Sequence, residues 1–153
     1  MLTYRFAQEQ DIDIYFNWAN DSNVRESAFN SKVIEYSNHC SWFRSKVESE
    51  DSHLYLFLNN GEPSGQVRID IKESEGFIDI SIDKSSRGLK LGHKMLLLAS
   101  DNLLDQYEEL ILIAEIKIEN IASIKSFEKA GFIKFDNKKS SDIVVYKKSR
   151  SIY

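Results

Sequence analysis

Two adjoining stretches decide how this chain folds: Gly76-Phe77-Ile78-Asp79-Ile80-Ser81-Ile82-Asp83 and Ser85-Ser86-Arg87-Gly88-Leu89-Lys90-Leu91-Gly92-His93-Lys94-Met95-Leu96. The first alternates apolar and polar side chains, the period of a half-buried strand. The second is a short basic turn with two glycines, and it leads into the helix-like run Met95-Leu96-Leu97-Leu98-Ala99. A strand, a basic glycine turn and a helix start make an anion site. The first N–H groups of a helix lack intrahelical partners, and the helix dipole favours negative charge there. Phosphate or pyrophosphate is the guest this chemistry suits.

Upstream of that stretch, residues 3–7 alternate as a short strand, and 11–19 carry the apolar spacing of a helix. Asp21-Ser22-Asn23 offers an N-cap for a second helix through about residue 29. Residues 32–36 read as extended, and Ser37 could cap a third helix over 38–48. Residues 54–58, the tight turn at 59–62, and strands 65–71 and 76–82 then form an antiparallel meander. Downstream, 92–104 reads as a helix. The apolar run 110–116 reads as a central strand buried on both faces. Asn120 caps another helix that Gly131 closes as its C′ residue. Strands at 132–135 and 143–146 are joined by a polar turn at 136–142.

The chain of 153 residues suggests a single domain across 1–153, with a mixed, mostly antiparallel sheet of about seven strands flanked by helices, an α/β (α+β) fold. With 42% hydrophobic residues it can bury a core without disulfides or metals. A formal net charge of −4 argues against general nucleic-acid binding. Arg87, Lys90, Lys94, Lys117, Lys125 and Lys129 gather in the second half, which fits a small anionic ligand. The lone Cys40 excludes an internal disulfide and the usual cysteine zinc sites, and His39, His53 and His93 have no metal-ligand spacing. The first residues do not form a signal peptide and no run spans a bilayer, so a cytoplasmic protein without a membrane partner is expected.

The turn at 87–92 and the segment Asn120-Ile121-Ala122-Ser123-Ile124-Lys125-Ser126-Phe127-Glu128-Lys129-Ala130-Gly131-Phe132 together resemble the GCN5-related N-acetyltransferases (GNATs) over essentially the whole chain. The resemblance implies acetyl-coenzyme A as donor, no metal, and the family pattern Arg/Gln-x-x-Gly-x-Gly/Ala around the pyrophosphate. Arg87 and Gly92 match its ends. Gly88, Leu89 and His93 accompany them, and Lys90 replaces the middle glycine. Glycine there permits a positive φ at no steric cost; lysine removes that freedom and adds a cation. By the same resemblance, backbone at Ile80 and Ile82 pairs with the pantetheine arm, and Asn120 and Ser123 contact it. Asn120 also reads as a plain N-cap.

Acetylating an amine requires a neutral nucleophile, a donor for the oxyanion and a proton for the thiolate. Glu115, at the end of the apolar strand, is the first candidate base, because desolvation there suits a base; it reads equally as a solvated strand-end glutamate. Asp79 and Asp83 rank below it, and strand alternation allows only one parity to line a cleft. The family's usual acid, a tyrosine, is Phe127 here, and the adjacent Ser126 is expected to point elsewhere. Arg25, His39 and Trp42 are the candidate acceptor-binding residues, resembling those of nucleotide-aminosugar and ribosomal-protein N-terminal acetyltransferases. The expected activity is acetyl transfer to a small primary amine such as a nucleotide-linked aminosugar. Acetylation of a protein N-terminus and a non-catalytic acyl-coenzyme A module are the alternatives. The resemblance leaves a homodimer open.

Overall fold

The computed structural model describes residues 1–135 and 140–150. Strand β1 (Leu2–Phe6) leads through a single 3-10 turn into helices α1 (Ile12–Ala19), α2 (Ser22–Ser27) and α3 (Tyr36–Glu48). Strands β2 (Ser52–Asn59), β3 (Glu62–Lys72) and β4 (Glu75–Ile82) follow, then α4 (Gly92–Gln106), β5 (Ile111–Lys117), α5 (Ile121–Lys129), β6 (Ile133–Phe135) and β7 (Ile143–Ser149). The sheet order is β1-β2-β3-β4-β5-β7-β6, the mixed seven-stranded sheet expected from the sequence. Of the expected turn at 136–142, residues 136–139 lie outside the described residues.

Every neighbouring pair is antiparallel except β4 and β5. Those two pair only through Glu75, Gly76 and Phe77 against Ile111, Leu112 and Ile113, and then part. Two features pull the upper half of β4 toward β3 instead. A register shift interrupts β2 against β3 at Phe57/Leu58, and such irregularities add local twist. Opposite Phe57 stands Gly65, where a Cβ would lie 2.6 Å from the Ser81 carbonyl oxygen. Only a residue without a side chain lets β4 close onto β3 there, and this leaves a wedge between β4 and β5. Gly65→Val should therefore cost about 1–3 kcal/mol, the usual range for overpacking, read as a lower urea midpoint.

Each sheet face has its own core. On one face, α4 and α5 pack on Tyr55, Phe57, Val67, Ile69, Ile78, Leu112 and Ala114. On the other, α1 and α3 close over Leu54 and Leu56 through Tyr15, Trp18 and Phe43. The latter helices pack on β2 and β4, so the second face of β5 is covered only in part, at Ile113, and not throughout as its apolar run suggested. Ile111 is 38% exposed and Glu115 is exposed.

Helix α3 starts one residue before the expected cap Ser37. The Tyr36 hydroxyl donates to Asp13 Oδ1 at 2.6 Å and its ring stands edge-on to Phe16, so contacts with α1 draw it into the first turn. Asp21 caps α2 as expected, accepting from the N–H groups of Asn23 and Val24.

Candidate active site

The wedge between β4 and β5 opens into a cavity of about 430 Å³. Ile80 and Ile82 line one wall, Glu115 and Lys117 the other, and Asn120, Ser123 and Ser126 of α5 close an end. From Ile78 onward β4 has no strand neighbour on its β5 side, so its backbone is available to an extended ligand that would add as a strand. Asn120 caps α5, accepting from the Ser123 N–H at 3.2 Å, while its side chain still borders the cavity. Ser126 corrects the expectation that it points away. It shares the helical face of Ser123, three residues earlier, and lines the same cavity; a Cβ on Gly92 would stand 3.0 Å from its Oγ. Phe127 is buried edge-on against Phe132, 5.0 Å between ring centroids, so the position where the family carries a tyrosine serves packing.

At the mouth of the wedge, α4 begins at Gly92 with no side-chain cap and no acidic residue in its first turn. Burial and the nearby charges of Lys129 and Lys94 push the His93 imidazole below its usual range, a sign of a positive local field. The turn before it holds Gly88 at φ 82° and Lys90 at φ 60°. Lysine thus adopts the left-handed backbone that the family gives to glycine, and Lys90 and Leu89 are exposed. Lys90→Gly should relieve that strain and stabilise the fold by about 1 kcal/mol, seen as a melting temperature about 2–4 °C higher.

Arg87 lines the wedge, but its Nη2 donates to Asp21 Oδ1 at 2.7 Å, tying the turn to the cap of α2. Lys117 adds a second tie, donating to the Glu26 carbonyl at 2.9 Å. Helix α2 therefore crosses the wedge, anchored at both ends. The Arg87 hydrogen bond holds the Asp21 carboxyl below the usual carboxylate range. For Asp83, burial opposes ionisation, but hydrogen bonds from Ser85 and from Trp18 Nε1, 2.8 Å away, outweigh it and lower its pKa. Asp83 is thus a structural acceptor rather than a base. Both depressed carboxyls stabilise the fold above their unfolded value near 4, and that contribution is lost as pH falls through their folded values. Denaturant midpoints should drop below about pH 4, and Asp21→Asn and Asp83→Asn should each flatten that acid limb.

A second cavity, of about 320 Å³, lies under α1–α3 on the face that carries Glu115. Tyr15, Trp18, His39 and Trp42 wall it, and Gln66, Arg68, Asp79 and Ser81 form its sheet side. The structure brings Arg25, His39 and Trp42 together here, in roles partly different from those expected. Arg25 donates to the carbonyls of Ala19, Asn30 and Lys32 at 2.6, 3.1 and 3.2 Å, so it staples the loop after α2 instead of presenting a fork to a diphosphate. His39 is buried, with Nε2 donating to the Ile12 carbonyl at 2.8 Å and its ring stacked on Phe43. Trp42 carries the Arg68 guanidinium 5.0 Å from its centroid.

Sequence reasoning missed Tyr15, Gln66 and Arg68. A signal was available: Gln66, Arg68 and Asp70 are the polar parity of β3 and read as solvent-facing, yet helices cover them. Polar side chains under helices line sites more often than cores. The two cavities meet, sharing Val24, Arg25, Asp79 and Ser81. Among the described residues, no group of three or more His, Cys, Asp or Glu could hold a metal ion, and no helix is long and apolar enough to cross a membrane.

A sheet wedged open between two parallel strands, an uncapped helix at its mouth and an adjoining acceptor-sized cavity define an acyltransferase domain of the kind the two motifs resemble. Residues 1–133 match the family model of the acetyltransferase (GNAT) domain, and the chain belongs to that family. Its fold is shared with solved structures of low sequence identity. One is aminoglycoside acetyltransferase AAC(6')-Ib in complex with coenzyme A, at 22% identity and TM-score 0.82, covering 98% of this chain and 95% of that one. Another is RimL, a ribosomal L7/L12 α-N-protein acetyltransferase in complex with coenzyme A, at 14% and 0.83, covering 97% and 93%. A third is spermidine N-acetyltransferase from Vibrio cholerae with coenzyme A and spermine, at 14% and 0.81, covering 95% and 92%. No curated protein matches the chain.

Proposed function

We propose that this protein transfers the acetyl group of acetyl-coenzyme A to the primary amine of a small molecule, both bound at once. The observation that carries the reading is the meeting of the two cavities at Asp79 and Ser81. A donor laid along β4 and an acceptor held under α1–α3 would come together there. Direct attack needs such proximity, which contributes several kcal/mol to lowering a bimolecular barrier.

The residues divide the work by position. Backbone of β4 at Ile80 and Ile82 takes the pantetheine arm as an added strand. The start of α4 with Gly92 and His93, and the basic turn with Arg87, Gly88 and Lys90, take the pyrophosphate. Bound acetyl-coenzyme A supplies an activated thioester. Glu115 is the base that takes the proton from the acceptor ammonium, directly or through water; it shares a sheet face with Asp79 and lines the wedge. Asp79 holds the ammonium before attack.

The finer reading of the acceptor is an aminosugar, whose ring faces suit the aromatic walls of Trp18 and Trp42. A nucleotide-linked form requires a diphosphate partner besides Arg25, whose Nε and Nη1 are engaged by backbone carbonyls. Thiol release with acetyl-coenzyme A and aminosugars, set against N-terminal peptides, separates the readings: release with peptides alone removes the small-molecule assignment. For the donor site, Arg87→Gln should weaken acetyl-coenzyme A binding at least tenfold, about 1.4 kcal/mol, by calorimetry. Unchanged affinity would move the pyrophosphate away from this turn.

A further inference from the structure

Two side chains that line the acceptor cavity carry oxygens with no hydrogen-bond partner: the Tyr15 hydroxyl and Gln66 Oε1. Tyr15 is 4% and Gln66 5% exposed, so neither is satisfied by bulk solvent. Buried polar atoms are nearly always paired, and one left open costs stability. The two sit on different elements, α1 and β3, and the rest of each side chain is fixed. The Tyr15 ring packs on Trp18 and Phe43 at 5.6 and 4.9 Å, and Gln66 Nε2 donates to Ser81 Oγ at 3.1 Å. Burial pushes the Tyr15 hydroxyl well above its usual pKa, so it remains a donor.

Charge adds a second constraint. Among the described residues lining this cavity stand one carboxylate, Asp79, and two guanidiniums, Arg25 and Arg68. Arg68 Nε donates to Asp70 at 2.9 Å, and its Nη1 lies 3.9 Å from Asp79. One ammonium can be matched at Asp79; a second would meet a guanidinium.

We infer that the cavity selects a monoamine whose remaining body is neutral and hydroxylated, with Tyr15 and Gln66 reading its hydroxyls. A hydroxyl is the group that fits either open valence, because it can accept from the Tyr15 O–H or donate to Gln66 Oε1. A hydrocarbon would leave both oxygens open. A polycation would add uncompensated charge beside Arg68. A site built to hydrogen-bond a hydroxyl discriminates strongly against the analogue lacking it. This inference rests on the acetyltransferase reading above and names the acceptor class within it.

The test compares three probes with acetyl-coenzyme A: glucosamine, cyclohexylamine and spermidine. The expected kcat/KM for glucosamine exceeds that for the other two at least tenfold. Tyr15→Phe should lower kcat/KM for glucosamine at least fivefold and leave cyclohexylamine within twofold, and Gln66→Met should do the same. Removing an orphaned hydroxyl should also leave the melting temperature of free Tyr15→Phe protein equal or higher. A lower melting temperature would mean that the hydroxyl serves an ordered internal water, and overturns the inference. So does equal loss on both ring amines, or a preference for spermidine. If acetyl-coenzyme A binds by calorimetry but none of the three probes is acetylated, the acceptor class is wrong and the donor site stands. If acetyl-coenzyme A does not bind, the underlying reading falls with it.

Discussion

Glu115→Gln should lower kcat at least 100-fold while acetyl-coenzyme A affinity stays within twofold. General base catalysis is typically worth 10²–10⁴ in rate, and an amine that arrives as ammonium cannot attack until its proton is removed. Glu115 lines the wedge from β5, on the sheet face that also carries Asp79 and the acceptor cavity. The sequence pictured this carboxylate desolvated at the end of a buried strand. It is exposed, because α1 and α3 pack on β4 and β2 rather than on β5. Its suitability as a base therefore rests on position and access to water. The glutamine keeps shape and removes the acceptor of the proton, so coenzyme binding should be spared. The competing carboxylate is Asp79, whose side chain is 55% exposed at the junction of the cavities. Should Glu115→Gln retain activity while Asp79→Asn abolishes it, the two roles are exchanged. If coenzyme binds and wild-type protein turns over no amine at all, the non-catalytic module replaces the enzyme reading.

Phe43→Ala should remove about 3–5 kcal/mol of stability, the range for truncating a fully buried aromatic. For a chain of this size that is roughly 6–20 °C in melting temperature. Phe43 is completely buried beneath the acceptor cavity, 4.9 Å from the Tyr15 ring and stacked under His39 at 5.8 Å. It belongs to the core on the α1–α3 face, whereas the donor wedge rests on the core beneath α4 and α5. The loss should therefore be asymmetric. KM for the acceptor should rise as Tyr15 and His39 lose support, and acetyl-coenzyme A affinity should hold at temperatures where the variant is folded. An equal weakening of both ligands would mean that the two faces of the sheet act as one unit.

Much of this architecture was legible in the residues. Alternation over 76–82 and the apolar run at 110–116 placed two strands either side of a helix, and Asn120 and Gly131 bounded α5 as caps do. These are local signals: a period, an N-cap oxygen, a glycine at φ 94°. The basic glycine turn running into the start of α4 was legible for the same reason, since its signals are local. The acceptor side was less so. Arg25 and His39 were correctly gathered near one cavity, but their polar atoms went to backbone carbonyls supplied by Ala19, Asn30, Lys32 and Ile12. No one-dimensional pattern reveals which carbonyls will lack a partner.

The sequence by itself determined the element order, the seven-stranded mixed sheet and the basic turn at the start of α4, because hydrophobic period and capping chemistry act over a few residues. Only the tertiary structure decided where the sheet opens, which face of β5 stays exposed, that Arg87 holds the cap of α2, and that Tyr15 and Gln66 keep open valences in one cavity. Each of those depends on groups brought together from distant parts of the chain. A glycine at 65 that admits the Ser81 carbonyl and an arginine at 87 that reaches Asp21 acquire their meaning only when the chain has closed around them.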